Sequence, residues 1–346
     1  MNTRRISAIV KYNGTDISAD IGYSLKSLEF TDNLSGSADD LSITLEDKDA
    51  RWQGSWFPEK GATINAILIG DNWNISSEKS LNLGSFEIDE ISSSGYPSEV
   101  QICSTSIPDN NKLRGIERTR SWEKAELKTI ANDIASKAEM ELVYDAEVNP
   151  TIERAEQTEQ SDLSFLLQLC SDQGLAVKIF EKKFVIFDES VYEQAEPTIT
   201  LVKPGTTHDF GNSYISNILG YSFTNKVRDI YKSCHVKFQK SSKKAIIETT
   251  FNAPNKTIGK TLEIREQVEN IADAERLAKK RLREYNKEEW TGSITCAGNF
   301  SLVASRTVNV VGFGAYDGKY IITKATHSLG SGYITRIELR RCLDGY

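Results

Sequence analysis

A pattern of two alternating strands joined by a turn occurs twice in this sequence, once near each end. Residues 85–102 read SFEIDEISSSGYPSEVQI, and residues 319–341 read KYIITKATHSLGSGYITRIELRR. In both segments apolar side chains recur at every second position, which is the period of a half-buried β-strand, and glycine and serine mark the turn. A chain that makes the same antiparallel hairpin twice is predicted to be built mainly from β-sheet.

Two other pairs of similar segments precede the hairpins in the same order. Residues 41–47 (LSITLED) resemble residues 292–298 (GSITCAG), and residues 61–70 (GATINAILIG) resemble residues 305–314 (SRTVNVVGFG). A fixed order of similar segments is typical of an internal repeat. The alternative is chance, because any alternating hairpin resembles another. We interpret the order as a duplicated β module.

Helical periodicity appears between the two copies. Within residues 121–144, apolar side chains recur at steps of three and four as far as Ala138, which predicts an amphipathic helix with Ser121 as its N-cap. A strand is predicted next, over residues 140–144. Residues 145–160 are interpreted as a polar link. Residues 161–174 predict a second helix that ends at Gly174 in the left-handed conformation, and two short strands follow it.

The order of these patterns divides the chain into three segments. Residues 1–105 show the alternating pattern of strands, residues 106–197 combine helices with strands, and residues 198–346 return to strands with one helix over residues 270–290. We therefore predict an α+β protein that is mainly β, with two tandem β modules separated by a small α/β insert domain.

Charge is distributed unevenly over the chain. The net charge of −7 combines −8 over residues 1–100, −8 over residues 101–197 and +9 over residues 198–346. Solvated faces of differing sign are the simpler interpretation. The other is that acidic and basic modules face each other in an assembly, where charge complementarity selects the neighbour. In that case the candidate charged interface is formed by Lys279, Lys280 and Arg281.

Membrane insertion and export are not expected. No stretch approaches the roughly 20 apolar residues that a membrane helix needs. The apolar stretch near the N-terminus is too short for a signal peptide, so we expect the protein to be made in the cytoplasm. Five cysteines lie far apart with no C-x-x-C spacing, which favours neither a disulfide framework nor a zinc site.

The sequence lacks the common motifs of enzymes and cofactor sites. The acidic residues between positions 32 and 49 do not have the spacing of a calcium loop, and we interpret them as solvated strand ends. The run GFGAYDG at 312–318 lacks the third glycine of a dinucleotide loop. His208, His235 and His327 match no catalytic motif and are interpreted as ordinary residues. We predict no catalytic, cofactor-binding or metal-binding residues and no enzymatic activity.

Two functions of other classes stay open on the residues alone. The two carboxylates of a glycosidase need to be close only in space, so a tail-tip cell-wall hydrolase is one alternative. The basic run KKRLREYNK at 279–287 would suit phosphate contacts, which makes a nucleic-acid-binding protein the second alternative. The acidic residue within that run and its apolar face favour a solvated helix instead.

Six segments follow one another in an order that covers nearly the whole chain. They read FTDNLSGSADDLSITLED, FPEKGATINAILI, GSFEIDEISSSGYPSEVQI, RSWEKAELKTIANDIA, EQSDLSFLLQLCSDQGL and GKYIITKATHSLGSGYITRIELR. Each is mainly a packing pattern, and the shared order is what is informative. In this order the chain resembles the late control protein D family, which comprises the baseplate hubs of contractile phage tails and phage tail-like bacteriocins.

The resemblance implies two tail-tube-like β-barrel modules and a homotrimeric ring between the hexameric tail tube and the trimeric spike. Three chains with two modules each would present six quasi-equivalent units. The implied partners are the chain itself, the spike protein and the tail tube protein, with tape-measure and other baseplate proteins as further candidates. The resemblance implies no cofactor and no specific nucleic acid binding.

Further expectations concern the particle. The sequence shows no needle repeat and no lysozyme-like domain, so a separate spike protein is expected. We expect the protein to be made in the bacterial cytoplasm and then to form part of the baseplate of a phage or phage tail-like particle. Large side chains of the two hairpins are the candidates for the ring interface or for the module cores. These residues are Phe86, Ile88, Tyr96, Tyr320, Ile322, Tyr333 and Ile337.

Overall fold

The chain forms two compact units in the computed structural model. The residues that the structure describes are 4–73, 78–107, 113, 115–207, 214–239, 246–254, 256–268 and 270–346. The first unit comprises Met1–Glu189, Thr295–Ser305 and Thr323–Ile337, and the second comprises Ser190–Ile294, Arg306–Ile322 and Glu338–Tyr346. The division into three domains at residues 105 and 197 stays a prediction.

The first seven strands form an antiparallel sheet in the first unit. They are β1 Arg5–Tyr12, β2 Thr15–Asp16, β3 Leu25–Asn33, β4 Asp40–Glu46, β5 Thr63–Asp71, β6 Ser80–Ser94 and β7 Glu99–Thr105, with the short helix α1 Ser18–Ile21 after β2. Neighbouring strands follow the order β3-β4-β7-β6-β5-β1-β2. Alternate residues point to opposite faces of a strand, and in β4 Leu41, Ile43 and Leu45 are buried as the pattern predicts.

A mixed helix and strand region follows in the same unit. Its elements are β8 Glu117–Glu126, α2 Leu127–Lys137, β9 Glu141–Asp145, β10 Thr151–Ser161, α3 Asp162–Asp172, β11 Ala176–Phe180 and β12 Lys183–Phe187. β8 pairs with β10, and a second small sheet has the order β11-β12-β9. The apolar faces of α2 and α3 bury Ile130, Ile134 and Leu166 against Phe184 and Ile186.

The beginning of the first long helix differs from the prediction. Helix α2 begins at Leu127 and its N-cap residue Glu126 makes no side-chain cap, whereas Ser121 lies in β8. The segment interpreted as a polar link contains β10, which pairs with β8. Local pattern favoured a longer helix, but strand pairing satisfies the backbone of this segment instead. The Arg120 side chain reinforces the pairing, because it donates to Gln157 at 2.8 Å and to Asp162 at 2.7 Å.

The second helix ends before Gly174 as predicted, and the third begins as predicted but ends at residue 286 rather than 290, which lies in a strand. Ser161 caps α3 by accepting a hydrogen bond from the Ser164 N–H, and Gly174 follows the helix with a φ of +79°. The third helix, over 271–286, begins after Asn270, whose side chain accepts from the Asp273 N–H. Side-chain oxygens at these positions satisfy N–H groups that have no acceptor inside the helix.

The remaining elements include three strands that contribute residues to both units. In chain order they are α4 Glu189–Gln194, β13 Ile199–Val202, β14 Tyr214–Ile215, β15 Ile218–Asn225, β16 Tyr231–Gln239, β17 Ile246–Asn252, β18 Lys260–Ile264, α5 Ile271–Asn286, β19 Trp290–Ala297, β20 Thr307–Val311, β21 Gly318–Leu329 and β22 Tyr333–Arg341. The strand order is β15-β19-β22-β21-β20-β13-β14, and β17-β16-β18 form a separate sheet. Helix α5 buries Ala274, Ala278 and Leu282 in a core with residues of that sheet.

The repeated segments occupy equivalent strands. The order β3-β4-β7-β6-β5 in the first copy corresponds to β15-β19-β22-β21-β20 in the second. The register corresponds too. Residues 63, 64, 65 and 66 face 87, 86, 85 and 84, as residues 307, 308, 309 and 310 face 321, 320, 319 and 318. The last position of each series is a glycine with a positive φ, +100° at Gly84 and +143° at Gly318.

The repeat extends to a segment that the sequence pattern did not reveal. Phe30 in β3 contacts Phe86 at a ring distance of 5.9 Å, and Phe223 in β15 contacts Tyr320 at 6.1 Å. Phe86 and Tyr320 are equivalent in register, so β3 and β15 are equivalent as well. The copies differ at one edge, because β1 is antiparallel to β5 whereas β13 is parallel to β20. The α+β, mainly β class is confirmed, and closure of each sheet into a barrel stays a prediction.

Replacing Ser161 and Ser121 by alanine should distinguish the observed helix cap at residue 161 from the cap predicted at residue 121. Ser161→Ala should lower the free energy of unfolding by about 1 kcal/mol, because an N–H of α3 loses its acceptor. Ser121→Ala changes an exposed strand position and should cost less than about 0.5 kcal/mol. Chemical denaturation followed by circular dichroism measures both variants. Equal losses would show that the Ser161 cap does not stabilise the helix.

Candidate functional site

Six of the seven candidate hairpin residues are buried inside the subunit. Phe86, Ile88, Tyr320, Ile322, Tyr333 and Ile337 are each at most 5% exposed, whereas Tyr96 is fully exposed. A buried side chain stabilises its own module and offers no surface to another chain. Among these seven residues, Tyr96 is therefore the one placed to contact a second protein.

Tyr333, in the first unit, shows how the tip of a hairpin is buried. Its ring lies 5.8 Å from the Trp73 ring and 5.1 Å from the Phe300 ring. The Trp73 Nε1–H donates to the Gly298 carbonyl at 2.9 Å, which holds the indole beside Tyr333. Burial raises the pKa of the Tyr333 hydroxyl above its usual value. The tyrosine is thus a neutral core residue.

His327 extends this buried cluster. Its Nε2 lies 3.0 Å from the Leu302 carbonyl oxygen, which can only accept, so Nε2 carries the proton. Its Nδ1 accepts from the Tyr333 hydroxyl at 2.7 Å, and the Thr335 hydroxyl lies 3.3 Å from the same nitrogen. Burial lowers the pKa of His327 to about 4. No local motif signals this role, so the interpretation of His327 as an ordinary residue is incomplete.

Tyr96 lies at the exposed tip of the first hairpin, in the first unit. Exposed aromatic residues accompany it, because the loop that carries Trp56 and Phe57 joins the first hairpin through a hydrogen bond from the Asp47 N–H to the Ser98 carbonyl. The Asp47 carboxylate is buried and accepts from the N–H groups of Trp52 and Gln53 at 3.0 and 3.1 Å. These hydrogen bonds to its backbone groups hold the loop in place.

A second exposed surface lies on β15 in the second unit. Tyr221 and Leu219 are 52% and 65% exposed on this strand. The Tyr221 ring contacts Phe313 at 4.9 Å, and Phe223 stacks on Tyr316 at 5.2 Å. Among the described residues, only β19 pairs with β15. The strand thus presents both an open edge and an aromatic cluster, which we call the β15 surface and define by Leu219, Tyr221, Phe223, Phe313 and Tyr316.

The predicted charged residues lie on α5 and differ in accessibility. Lys279 is exposed, whereas Lys280 and Arg281 are half-buried. The Arg281 guanidinium donates to both carboxylate oxygens of Glu266, at 3.2 and 3.1 Å. Because this ion pair lies within the subunit, it reduces what Arg281 can offer to another chain. Lys279 is the most accessible of the three.

Several acidic residues between positions 32 and 49 are buried, so the prediction of solvated strand ends is wrong for them. Lys178 donates to Asp32 at 2.5 Å and makes an ion pair with Asp39 at 3.1 Å. Burial raises the pKa of Asp39 to about 6. Burial also opposes the charge on Lys178, but attraction to Asp32 and Asp39 outweighs it and raises the lysine pKa. Asp32 further accepts from the Ala304 N–H at 2.8 Å.

In the second unit, a buried cluster of ion pairs connects elements that are distant in sequence. Glu193 in α4 receives Arg283 of α5 at 2.5 Å and forms an ion pair with Arg340 of β22. Its second oxygen accepts from the Leu343 N–H at 2.9 Å. Since these residues lie far apart in sequence, spacing could not reveal the cluster. The groups are used to hold elements together rather than to face a substrate.

His235 lies between two glutamates, and the part of the chain that the structure describes shows neither a metal site nor a membrane-spanning helix. His235 lies between Glu263 and Glu248 at 2.8 and 2.9 Å, and the hydrogen bond with Glu263 raises the pKa of the imidazole. No group of three or more His, Cys, Asp or Glu side chains that could hold a metal ion occurs in this part of the chain. None of the described helices combines the length and the apolarity needed to cross a membrane. His208 lies outside the described residues.

Close packing around Tyr333 can be tested through glycine. A Cβ on Gly298 would overlap the Tyr333 ring. Gly298→Ala should therefore lower the free energy of unfolding by about 1–3 kcal/mol through overpacking. Gly332→Ala is the matched control, because a Cβ there meets no atom within 4 Å. A control loss as large as that of Gly298→Ala would contradict the packing argument.

The buried histidine predicts an acid sensitivity. The folded-state pKa of His327 is about 4 and its usual value is 6.5. The stability that neutral His327 provides is therefore complete above pH 6.5 and is lost as the pH falls towards 4. His327→Gln retains a donor and an acceptor but does not titrate. Between pH 7 and pH 4 the wild type should lose about 2–3 kcal/mol more than the variant, measured by urea denaturation; parallel pH profiles would contradict the assignment.

Comparison with known proteins agrees with this architecture. Proteins named "Probable baseplate hub protein" from Escherichia phages 186 and P2 are 28% and 27% identical over 204 and 205 residues. These matches cover 57% and 56% of this chain and 50% of each relative, so the chain spans about half the length of the curated relatives it matches. The resemblance to baseplate hub proteins is confirmed by these relatives.

Solved structures show the same fold at low identity. A tail protein of Neisseria meningitidis MC58 matches with a TM-score of 0.71 and 14% identity over 98% of this chain and 97% of that protein. The 43 kDa tail protein of prophage MuSo2 from Shewanella oneidensis matches with a TM-score of 0.71 and 13% identity over 98% of this chain and 100% of that protein. A type VI secretion system component of E. coli matches with a TM-score of 0.57 and 13% identity over 100% of this chain and 78% of that protein.

A family model also matches the sequence. The model described as YQBQ-like matches residues 166–340, which is just over half of the 346 residues. The matched region includes α5 and the hairpin of β21 and β22. The chain therefore belongs to the YQBQ-like family.

Proposed function

We propose that this protein is a baseplate hub subunit. Three copies form a ring with pseudo-sixfold symmetry that joins the hexameric tail tube to the trimeric spike of a contractile injection particle. The observation that carries the proposal is the register-matched repeat of β3-β4-β7-β6-β5 in β15-β19-β22-β21-β20. One chain with two equivalent sheets can meet a sixfold surface with three copies and a threefold surface with the same three copies.

The described chemistry supports a structural role rather than catalysis. Asp32, Asp39 and Glu193 are buried and form ion pairs with Lys178, Arg283 or Arg340. A glycosidase needs carboxylates that reach a sugar, and these carboxylates hold elements of the fold together instead. The hub proposal therefore explains the buried acids, which the hydrolase alternative does not.

Nucleic acid binding is also less well supported. Basic side chains of α5 are engaged by acids of the same subunit, Arg281 by Glu266 and Arg283 by Glu193. A guanidinium that already pairs with a carboxylate gains less from a phosphate. The proposed neighbours are the spike and tail tube proteins, the chain itself and other baseplate proteins.

The oligomeric state is the test of this function. Purified with its neighbouring spike and tube proteins, the chain should have three times its mass of 38.7 kDa in native mass measurement. Affinity should come mainly from apolar burial and strand pairing, because each exposed ion pair contributes about 0–1 kcal/mol. A chain that stays monomeric with those neighbours present would refute the hub proposal.

Charge contributes separately, and it can be tested in the same preparation. Lys279→Glu should weaken the ring at low salt and have less effect at high salt, where exposed charges are screened. Lys280→Glu and Arg281→Glu extend the series, and Arg281→Glu also removes the pair with Glu266. A trimer that responds neither to salt nor to these reversals would contradict the charge argument and leave the hub proposal intact.

A further inference from the structure

One edge of the sheet in the first unit is covered by the second hairpin. Residues 324–329 of β21 pair antiparallel with β3, from Lys324 opposite Asn33 to Leu329 opposite Leu28. Tyr333 at the tip of that hairpin packs on Trp73 and Phe300. Within this unit the backbone groups of β3 thus have neighbours on both sides.

The equivalent edge in the second unit is open. β15 is the counterpart of β3, and only β19 pairs with it among the described residues. Its sequence, ILGYSFTN, contains no proline and no charged residue. Native proteins usually protect a free edge with such residues, and an apolar edge without them is a template for pairing with another chain. The β15 surface therefore needs an occupant.

The first hairpin contains a strand segment that can supply the missing partner of such an edge. Strand β6 pairs with β5 as far as Glu87, and residues 90–94 then pair with β7 on one side alone among the described residues. In the second copy, residues 318–321 of β21 pair with β20, and residues 324–329 then pair with β3. Counted from Gly84 and Gly318, residues 90–94 are the counterparts of 324–328. They have the conformation of a strand and a free edge.

The tip of the first hairpin carries an exposed aromatic side chain. Tyr96 is 100% exposed, whereas Tyr333 beside the tip of the second hairpin is 5% exposed. Exposed tyrosine is typical of interfaces, because its ring provides a large rigid contact area. If residues 90–94 pair with β15 as β21 pairs with β3, position 96 falls beside residue 220, next to Leu219 and Tyr221 of the β15 surface.

We propose that residues 90–94 of one copy add as an antiparallel strand to β15 of a second copy, which places Tyr96 beside Leu219 and Tyr221 there. This inference rests on the ring described under the proposed function and names its subunit contact. The pairing of β21 with β3 supplies the register. Transferred to the second unit, Lys324 opposite Asn33 becomes Glu90 opposite Lys226, and Ser92 lies opposite Thr224.

Charge agrees with this register. Glu90 and Lys226 are both exposed and carry opposite charges, and Glu90 would share Lys226 with Glu288 of the same subunit as Lys226, which lies 3.3 Å from the lysine Nζ. They belong to the acidic first hundred residues and the basic last segment of the chain. Opposite charges across neighbouring strands stabilise the pair, whereas like charges would destabilise it. The contact therefore joins the first module of one copy to the second module of the next and repeats around the ring.

Cysteine cross-linking tests the register. Directly opposite residues in an antiparallel pair have Cα atoms about 4.5–5.5 Å apart, which is within the range that a disulfide spans. The double variant Ser92→Cys, Thr224→Cys should form covalent trimers under mild oxidation when it is purified with the spike and tube proteins. The single variants control for the five native cysteines. Ser92→Cys with Thr250→Cys is the matched control, because Thr250 is exposed on another strand of the second unit.

If no disulfide forms, the conclusion depends on whether the wild type is a trimer. Positions 222 and 224 share one face of β15, and position 226 follows the strand with the same alternation, so each is tested with Ser92→Cys. If the wild type is a trimer and none of the three pairs forms a disulfide, the strand contact is refuted while the hub proposal stands. If the wild type does not form a trimer with its neighbours, both are refuted. A Ser92–Thr250 disulfide as efficient as the designed one would also refute the contact.

Tyr96 provides a second test that does not depend on disulfide geometry. Tyr96→Ala should leave the thermal stability of the free chain unchanged, because the side chain is fully exposed. It should raise the concentration at which the trimer dissociates by about tenfold or more, as is typical of a buried interface tyrosine. Ile258→Ala, at another exposed apolar residue, is the control. Equal dissociation of wild type and Tyr96→Ala would overturn the proposed role of Tyr96.

Discussion

Backbone hydrogen bonding at the edges of sheets is the constraint on which this architecture depends. A strand at an edge presents a row of N–H and C=O groups that must find acceptors and donors. In the first unit, residues 324–329 satisfy those of β3, and the adjacent hairpin tip brings Tyr333 onto Trp73. The same need is unmet at β15 among the described residues, which makes that edge the natural place for assembly.

Buried charges are the second element of the design. Lys178 connects the strand β11 to Asp32 and Asp39, and Glu193 connects α4 to α5 and β22. Removal of these groups from water is costly, and the ion pairs offset that cost only with good geometry. What they add is specificity, because a misplaced element would leave a charge buried without a counterion. Elements far apart in sequence are thereby selected for one arrangement.

The repeated module relates this architecture to the proposed role. The two repeats match in register at β5 with β6 and at β20 with β21, but their hairpin tips differ, because the first exposes Tyr96 and the second has Tyr333 buried beside it. Identical modules would associate without limit along their edges. Two modules that differ at their tips can close one contact within the chain and leave the other for a neighbouring copy. This asymmetry is what a threefold ring with sixfold appearance requires.

The sequence by itself determined the local elements and the repeat. Alternation at β4 and at the two hairpins and the glycine at 174 are local signals, and each predicted the observed element. Local patterns also suggested a helix from residue 121 and a polar link at 145–160, where strands β8 and β10 pair instead. Only tertiary structure decided that pairing, because its partners are some thirty residues apart. It also decided the burial of Asp32, Asp39 and His327 and the exposure of Tyr96, since the surroundings of a side chain come from segments that no local period encodes.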